Sequence, residues 1–481
     1  MSLKKNFLYN TIYQMFIIII PIITVPYISR ILGPDGVGLY SYTASYAQYF
    51  VLFGMIGISL YGNRQVAYSK NNRKNLSEEF WNIYCLQFIT TILALIIYIV
   101  LFCIINNNNK AIYLIQSIIV LSTVFDISWF FIGYEDMKSV VVRNTIVKIL
   151  GVFCVFIFVK EQSDVWKYAI IMSGSNFIGQ IIMWLNLKDK IDFYKPKLEN
   201  SIKHLKPALA LFISQLAIQV YTLLDKTMLG YMVGVGEVGL YENSQKTIKL
   251  ALTLITSLGV VMLPRMSALY SEGNIKKIKE MINKSFSFVN FMAFPMVFGL
   301  IAISTTFSLW FYGQAFDGID ILLKAGSVLM IVIGWSNILG IQVMLPMKKE
   351  KQFTISVIIG AIVNFILNIL LINKFQSVGT TVASVLAEFA VTSTQVYFLR
   401  NFIDVKGIIK TIIKPMIGSI FMFIILILIL PMFKIGFIWT IIEVVIGSVT
   451  YMIIMYLFKD QFLIEVMNLL KTKFKKDRGR I

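Results

Sequence analysis

Apolar stretches of membrane-crossing length, separated by short polar connections, recur from one end of the chain to the other. A helix that spans a bilayer needs about 20 largely apolar residues. Fourteen segments meet that length, centred on 7–29, 40–62, 83–105, 112–133, 140–159, 165–186, 208–231, 244–264, 286–310, 321–346, 354–373, 379–399, 412–431 and 436–457. The longest polar connection, 187–206, predicts a cytoplasmic linker between a first half of six helices (1–186) and a second half of six (207–400). A terminal helix pair (401–458) and a basic tail (459–481) follow. The other connections are short, so the pattern leaves no soluble catalytic domain on either side. Lys4 and Lys5 precede the first segment as in a signal peptide, but the segment is too long for one and lacks a small-residue cleavage site, so it reads as a retained helix. The expected fold class is an all-α polytopic membrane protein with 14 transmembrane helices.

One signature occurs twice. Gly33-Pro-Asp-Gly-Val-Gly-Leu-Tyr40 returns as Gly234-Val-Gly-Glu-Val-Gly-Leu-Tyr241, an offset of 201 residues, and the same offset carries Arg64 onto Arg265 and Ala67 onto Ala268. Six helices separate the copies, so the two halves enter the membrane in the same orientation. Parallel repeats of this kind are related by a pseudo-two-fold axis along the membrane normal, with the substrate site expected between the halves.

Composition agrees with the pattern: 57% hydrophobic, 14% charged, mean hydropathy +0.76. The net charge of +19 raises the question of nucleic acid, but its distribution answers it. Lysine and arginine gather in the 188–206 linker, the 265–284 loop and the tail from Lys459 to Arg480. That asymmetry is the positive-inside rule and predicts cytoplasmic termini, with the tail drawn to anionic lipid headgroups. Cys85, Cys103 and Cys154 lie in apolar helices without pairing or metal spacing. Residues 270–284 predict a short amphipathic helix on the inner surface.

Three stretches carry a family likeness: Val25-Pro-Tyr-Ile-Ser-Arg-Ile-Leu-Gly-Pro-Asp-Gly-Val-Gly-Leu-Tyr40, Tyr61-Gly-Asn-Arg64, and Asp126-Ile-Ser-Trp-Phe-Phe-Ile-Gly-Tyr-Glu135. With the helix count, they resemble the Wzx-type oligosaccharide-lipid flippases of the polysaccharide transport family. That superfamily also holds multidrug exporters and peptidoglycan-precursor flippases. The resemblance implies two six-helix lobes in a V and, as substrate, an oligosaccharide repeat unit on polyprenyl pyrophosphate. It implies a place in the bacterial cytoplasmic membrane, where membrane lipids, a polysaccharide polymerase and chain-length machinery are the fitting partners.

A charge inside a spanning helix is expensive and marks a partner or a cavity. On the eighth helix Glu242, Lys246 and Lys249 follow one another at i, i+4, i+7, with Thr253 and Thr256 continuing the face. The repeat places Ser41, Ser45 and Gln48 at the matching positions of the second helix. The seventh helix carries Gln215, Gln219, Thr222 and Lys226, and its first-helix counterpart Asn10 and Gln14, with Arg30 near the outer end. A lipid pyrophosphate is a multivalent anion that needs charge-assisted donors. The candidate cavity residues are therefore Arg30, Arg64, Lys226, Lys246, Lys249, Arg265, Gln48, Gln215 and Gln219. Arg64 and Arg265 fit equally the plainer role of anchoring helices at headgroup level, and Glu242 that of neutralising Lys246. Tyr40, Tyr42, Tyr46, Tyr49 and Phe50 form an aromatic group suited to interfacial anchoring or to stacking on sugars.

Asp126 and Lys148 lie at similar depth on neighbouring helices, the spacing of a structural ion pair. Asp225, Asn364, Asn368, Thr380, Ser384 and Glu388 form a set of oxygen ligands suited to a coupling Na⁺ or H⁺, an arrangement superfamily relatives resemble. An interhelical hydrogen-bond network is the other reading of the same residues. Pro21 and Pro26 are expected to interrupt the first helix, making it a candidate gate, Pro264 to end the eighth, and Pro295 to kink the ninth.

Other classes fit less well. A membrane enzyme such as a polymerase needs acid, base or metal ligands at an aqueous face, whereas His204 is the one histidine and no Asp-x-Asp run exists. No phosphate-binding Gly-Lys-Ser/Thr loop occurs, and no organic cofactor is expected. A multidrug exporter would favour acidic cavity residues. A peptidoglycan-precursor flippase shares the anionic lipid carrier and is the main alternative.

Overall fold

The computed structural model describes residues 3–105 and 109–468, with the side chains of residues 3–18, 137, 213–215, 217, 218, 258, 260 and 261 outside that description. Every described element is helical, and among the described residues there is no strand. Among the described residues, eleven continuous helices are long and apolar enough to cross a membrane. Two of them contain two crossings each. Leu3–Met55 bends at Gly33 (φ 67°, ψ 178°), and Glu350–Leu399 bends at Gln376 (φ 49°, ψ −132°). Gly33 occupies a region that residues with a Cβ rarely adopt. The seventh helix, Leu205–Met232, completes the fourteen expected from the apolar pattern.

Observed helices exceed their apolar centres. The second runs from 34 to 55 and resumes as Ile58–Ser69 after a bend at Ile56 and Gly57. The eighth is Val235–Ser271 and continues through Pro264, so this proline does not end it. Helical dihedrals also persist through Pro21 and Pro26, and the break falls at Gly33 instead. One missing backbone donor is tolerated inside a long helix when the neighbouring turns stay bonded. The surface helix expected over 270–284 is not separate. Its residues from Ile275 onward open the ninth helix, Ile275–Phe311, with Ile278, Met281 and Ile282 buried and Lys276, Lys277 and Glu280 exposed.

The packing forms two compact units, Met1–Gly239 and Leu240–Ile481. In the first, residues of the second, third and fourth helices enclose Ile58, Tyr61, Phe80, Trp129, Phe130 and Phe131. The seventh helix packs against the second: Gly57 meets the backbone of Ala208 and Phe212, Tyr49 Oη lies 3.3 Å from Thr227 Oγ1, and the Tyr42 ring fills the space beside Gly230. In the second unit, Phe286, Val289 and Phe294 of the ninth helix pack with Ile248 and Ile255 of the eighth and with Leu329 and Met330. The thirteenth helix (Val405–Ile429) and fourteenth (Phe437–Leu457) lie on the ninth through Phe291, Met422, Leu426, Tyr451 and Met455.

Candidate functional site

The eighth helix has two faces. Tyr241, Asn243, Ser244, Ile248 and Ile255 are buried in the second unit. Tyr312 Oη donates to the Asn243 carbonyl at 3.2 Å and meets Thr247 Oγ1 on that face, whereas the buried Gln245 Nε2 has no hydrogen-bond partner among the described residues. On the other face Lys249 is exposed and Lys246 Nζ lies 3.2 Å from Glu242 Oε1. A half-exposed i, i+4 pair of this kind contributes a few tenths of a kcal/mol. Its effect is on charge, because Glu242 offsets Lys246 in place. Arg265, further along the helix, is exposed.

In the first unit, Gln219 is exposed and Lys226 half-buried on the seventh helix, while the Gln215 side chain lies outside the described residues. Gln48 on the second helix and Arg30 on the first are exposed. Tyr40, Tyr42, Tyr46 and Phe50 make ring contacts within the first unit. Tyr42 and Tyr46 stack edge to face with hydroxyls 3.1 Å apart, Tyr46 meets Phe102, Tyr40 meets Tyr168, and Phe50 meets Tyr98. Arg64 is exposed at the other end of the second helix, its guanidinium 5.9 Å from the Tyr61 ring centre. Tyr61 Oη in turn lies 2.8 Å from His204 Nδ1, which ties that helix end to the linker. Burial, with the Lys203 charge beside it, holds the His204 imidazole below its ordinary pKa.

The oxygen-rich set in the second unit is brought together. The eleventh and twelfth helices pack antiparallel, with Gly360 against Val391 and Ala387, and Gln395 Nε2 donating to Ser356 Oγ at 3.3 Å. That register sets Asn364 and Asn368 opposite Ser384 and Glu388, and these four and Thr380 are buried. Asn368 Nδ2 donates to Asn364 Oδ1 at 3.1 Å, Ser384 Oγ donates to the Thr380 carbonyl at 3.0 Å, and Tyr241 Oη lies 3.1 Å from Ser384 Oγ. Amide, hydroxyl and carboxylate oxygens thus share one buried layer. Asp225, buried at 1% exposure, belongs to the first unit. Among the described residues, no three His, Cys, Asp or Glu side chains form a metal-binding group.

The Asp126 motif marks a break in the fourth helix, between Lys110–Val124 and Ser128–Gly133. Asp126 Oδ1 accepts from the Ser128 amide at 2.9 Å. Gln87 Nε2 donates to the Thr123 and Asp126 carbonyls at 2.8 and 2.9 Å, Trp184 Nε1 donates to the Phe125 carbonyl at 3.0 Å, and Trp129 Nε1 donates to Gln87 Oε1 at 2.9 Å. Carbonyls freed by the break are therefore met by side chains, as a low-dielectric interior requires. Lys148 is exposed on the fifth helix, Met137–Phe158. Sequence reasoning missed Gln87. The available signal was a polar residue alone in an apolar helix.

The family model described as "Polysaccharide biosynthesis protein" matches residues 3–270, more than half of the chain. The chain belongs to this family. The chain is 27% identical over 410 residues to the "Putative O-antigen transporter" of Escherichia coli (strain K12), covering 83% of this chain and 97% of that protein. This member of the polysaccharide biosynthesis family shares its fold with "Lipid II flippase MurJ, inward closed conformation" (TM-score 0.73, 18% identity, 95% of this chain and 100% of that one). It also matches an inward-facing multidrug resistance MATE family transporter (TM-score 0.60, 12% identity, 83% of this chain and 99% of that one). These likenesses establish an all-helical, multi-pass membrane fold of the MurJ and MATE kind.

Proposed function

We propose that this chain is a flippase that carries polyprenyl-pyrophosphate-linked oligosaccharide repeat units, of the capsule, exopolysaccharide or O-antigen type, from the inner to the outer leaflet of a bacterial cytoplasmic membrane. The observation that carries this reading is the eighth helix, a candidate span whose one face is sealed into a core while the other presents Lys246 and an exposed Lys249. Cations within a candidate span mark a partner or a cavity, and they suit a phosphorylated headgroup. Membership of the polysaccharide biosynthesis family and the near full-length alignment with a protein named as an O-antigen transporter support the same reading.

In this account the repeated halves 1–186 and 207–400 alternate in opening to either side, with both termini cytoplasmic. Arg64 and Arg265 receive the pyrophosphate at the inner surface, and Arg30, Lys226, Lys246 and Lys249 follow it outward, with Gln48, Gln215 and Gln219 as hydrogen-bond donors. The lipid tail stays in the bilayer. Two negative charges moving outward across an inside-negative membrane move with the field and gain about 4–5 kcal/mol per 100 mV, at ~2.3 kcal/mol per charge. That supplies direction without a nucleotide. Asp225 with the buried layer of Asn364, Asn368, Thr380, Ser384 and Glu388 is the proposed Na⁺ or H⁺ coupling site, and Asp126 with Lys148 a supporting ion pair.

The experiment is reconstitution into vesicles with a fluorescent polyprenyl-pyrophosphate oligosaccharide, reading its passage between leaflets with and without an imposed potential. Passage that follows the potential is expected. The same assay with a peptidoglycan precursor separates the two lipid-linked substrates. Equal passage in protein-free vesicles would remove the proposal.

A further inference from the structure

The fourteenth helix carries one acidic residue in its apolar run, and the functional reading makes no use of it. Glu443 lies in the candidate span Phe437–Leu457 and is 1% exposed. Its Oε2 has no hydrogen-bond partner. One turn away, Thr440 Oγ1 accepts from Trp310 Nε1 at 2.7 Å, so that side chain is occupied elsewhere. Glu443 lines a cavity of about 380 Å³ between the eighth, ninth, tenth, thirteenth and fourteenth helices, all within the second unit. That volume falls in the ordinary range of small-molecule sites, about 300–1,000 Å³.

The walls of the cavity define the chemistry. Five of its residues are methionines, which adapt to irregular ligands. Phe291 and Tyr451 contribute rings, and the Tyr451 hydroxyl is already donated to the Phe291 carbonyl at 2.9 Å. Glu443 is the only charged residue among the described residues lining it. Val444 and Met452, on the same helix and on the cavity rim, are exposed, so on a spanning helix they face lipid. A neutral lipid chain would leave the carboxylate oxygen without a partner in an apolar surround, at a cost of several kcal/mol. An anionic headgroup would be repelled by it. A positively charged centre satisfies the carboxylate and gains from the ring faces.

We propose that this cavity is a binding site for a lipid-soluble monovalent organic cation, with Glu443 as counter-ion and the methionine-lined wall holding its apolar body. The site is separate from the proposed headgroup path and stands whatever the chain transports.

The test is equilibrium dialysis of radiolabelled tetraphenylphosphonium against the full-length protein purified in detergent. Saturable binding to one site is expected, weakened at least tenfold by Glu443→Gln. Met296→Trp, which fills the cavity and leaves the carboxylate in place, should weaken it as much. Neutral triphenylphosphine oxide should not compete. Undiminished binding in either variant, displacement by the neutral compound, or no saturable binding would overturn the proposal. Should Glu443→Gln fail to fold, Met296→Trp and the neutral competitor still decide it.

Discussion

Gly38 and Gly239, which hold the same place in the two copies of the repeated signature, meet each other's segments reciprocally. A Cβ on Gly38 would overlap the Val235 carbonyl oxygen, and a Cβ on Gly239 would overlap the carbonyl oxygen of Pro34, the counterpart of Val235. Both copies of the signature thus place a glycine at a close backbone contact. These two glycines pack the start of the second helix against the start of the eighth.

Because the obstacle is backbone on both sides, it cannot yield as a flexible side chain would. Gly38→Ala and Gly239→Ala are each expected to destabilise the protein by about 2 kcal/mol or more. Gly174→Ala has no atom within 4 Å of its added methyl and should be neutral or stabilising by about 0.5–1 kcal/mol. Thermal unfolding of the three variants in detergent checks the contrast, and equal effects would contradict it.

The Asp126 motif separates two roles. If its carboxylate serves the Ser128 amide at the helix break, Asp126→Asn keeps an acceptor and should cost under about 1 kcal/mol. Gln87→Leu strands the Asp126 carbonyl and the Trp129 indole N–H, while the Thr123 carbonyl keeps the Asp126 amide, and should cost about 2 kcal/mol or more. If the proposed ion pair with Lys148 dominates, Asp126→Asn should be severe and Lys148→Met should rescue it. Unfolding midpoints of the single and double variants distinguish these outcomes.

A pH dependence follows from Asp136, the N-cap of the fifth helix. Burial pushes its carboxyl upward, but the Lys190 and Ser139 side-chain hydrogen bonds, the Lys190 charge and the Ser139 amide outweigh burial and hold it below the usual range. The Lys190 ammonium lies 2.8 Å away. A depressed carboxyl contributes stability that is present above the unfolded value, about 3.9, and lost as pH falls through the folded one. Asp136→Asn should therefore lower the unfolding temperature at pH 7, with the gap to wild type closing below about pH 4. A gap independent of pH would refute the assignment.

Most of the fold was legible because hydrophobic length alone specifies spanning helices. Both hidden turns left a local signal too. Gly33 precedes a proline, and Gln376 lies in the polar stretch Asn373-Lys-Phe-Gln-Ser377. The prolines misled, since Pro21, Pro26 and Pro264 remain inside continuous helices. The candidate sites were partly legible. The eighth-helix stripe and the Asn364 layer follow from periodicity. The contacts of Tyr40 and Tyr46 are with Tyr168 and Phe102, more than fifty residues away, which no local pattern shows.

If the buried layer of the eleventh and twelfth helices couples transport to a cation, Glu388→Gln should abolish the dependence of flipping on sodium or pH, with the protein still folded. Retention of both dependences in Glu388→Gln and Asp225→Asn would reduce that layer to interhelical bonding.

Glu242 offsets Lys246 at 3.2 Å, so Glu242→Gln should tighten binding of a soluble polyprenyl pyrophosphate analogue by about two- to fivefold. Unchanged or weaker binding would place that lysine outside the headgroup path.

The most direct test of the central claim is the rate of lipid-linked oligosaccharide flipping in vesicles when Lys226, Lys246 and Lys249 are replaced by glutamine, singly and together. The account predicts at least a tenfold loss for Lys249→Gln, a larger loss for the triple variant, and recovery with arginine at the same positions. Wild-type flipping by a folded triple variant would contradict it.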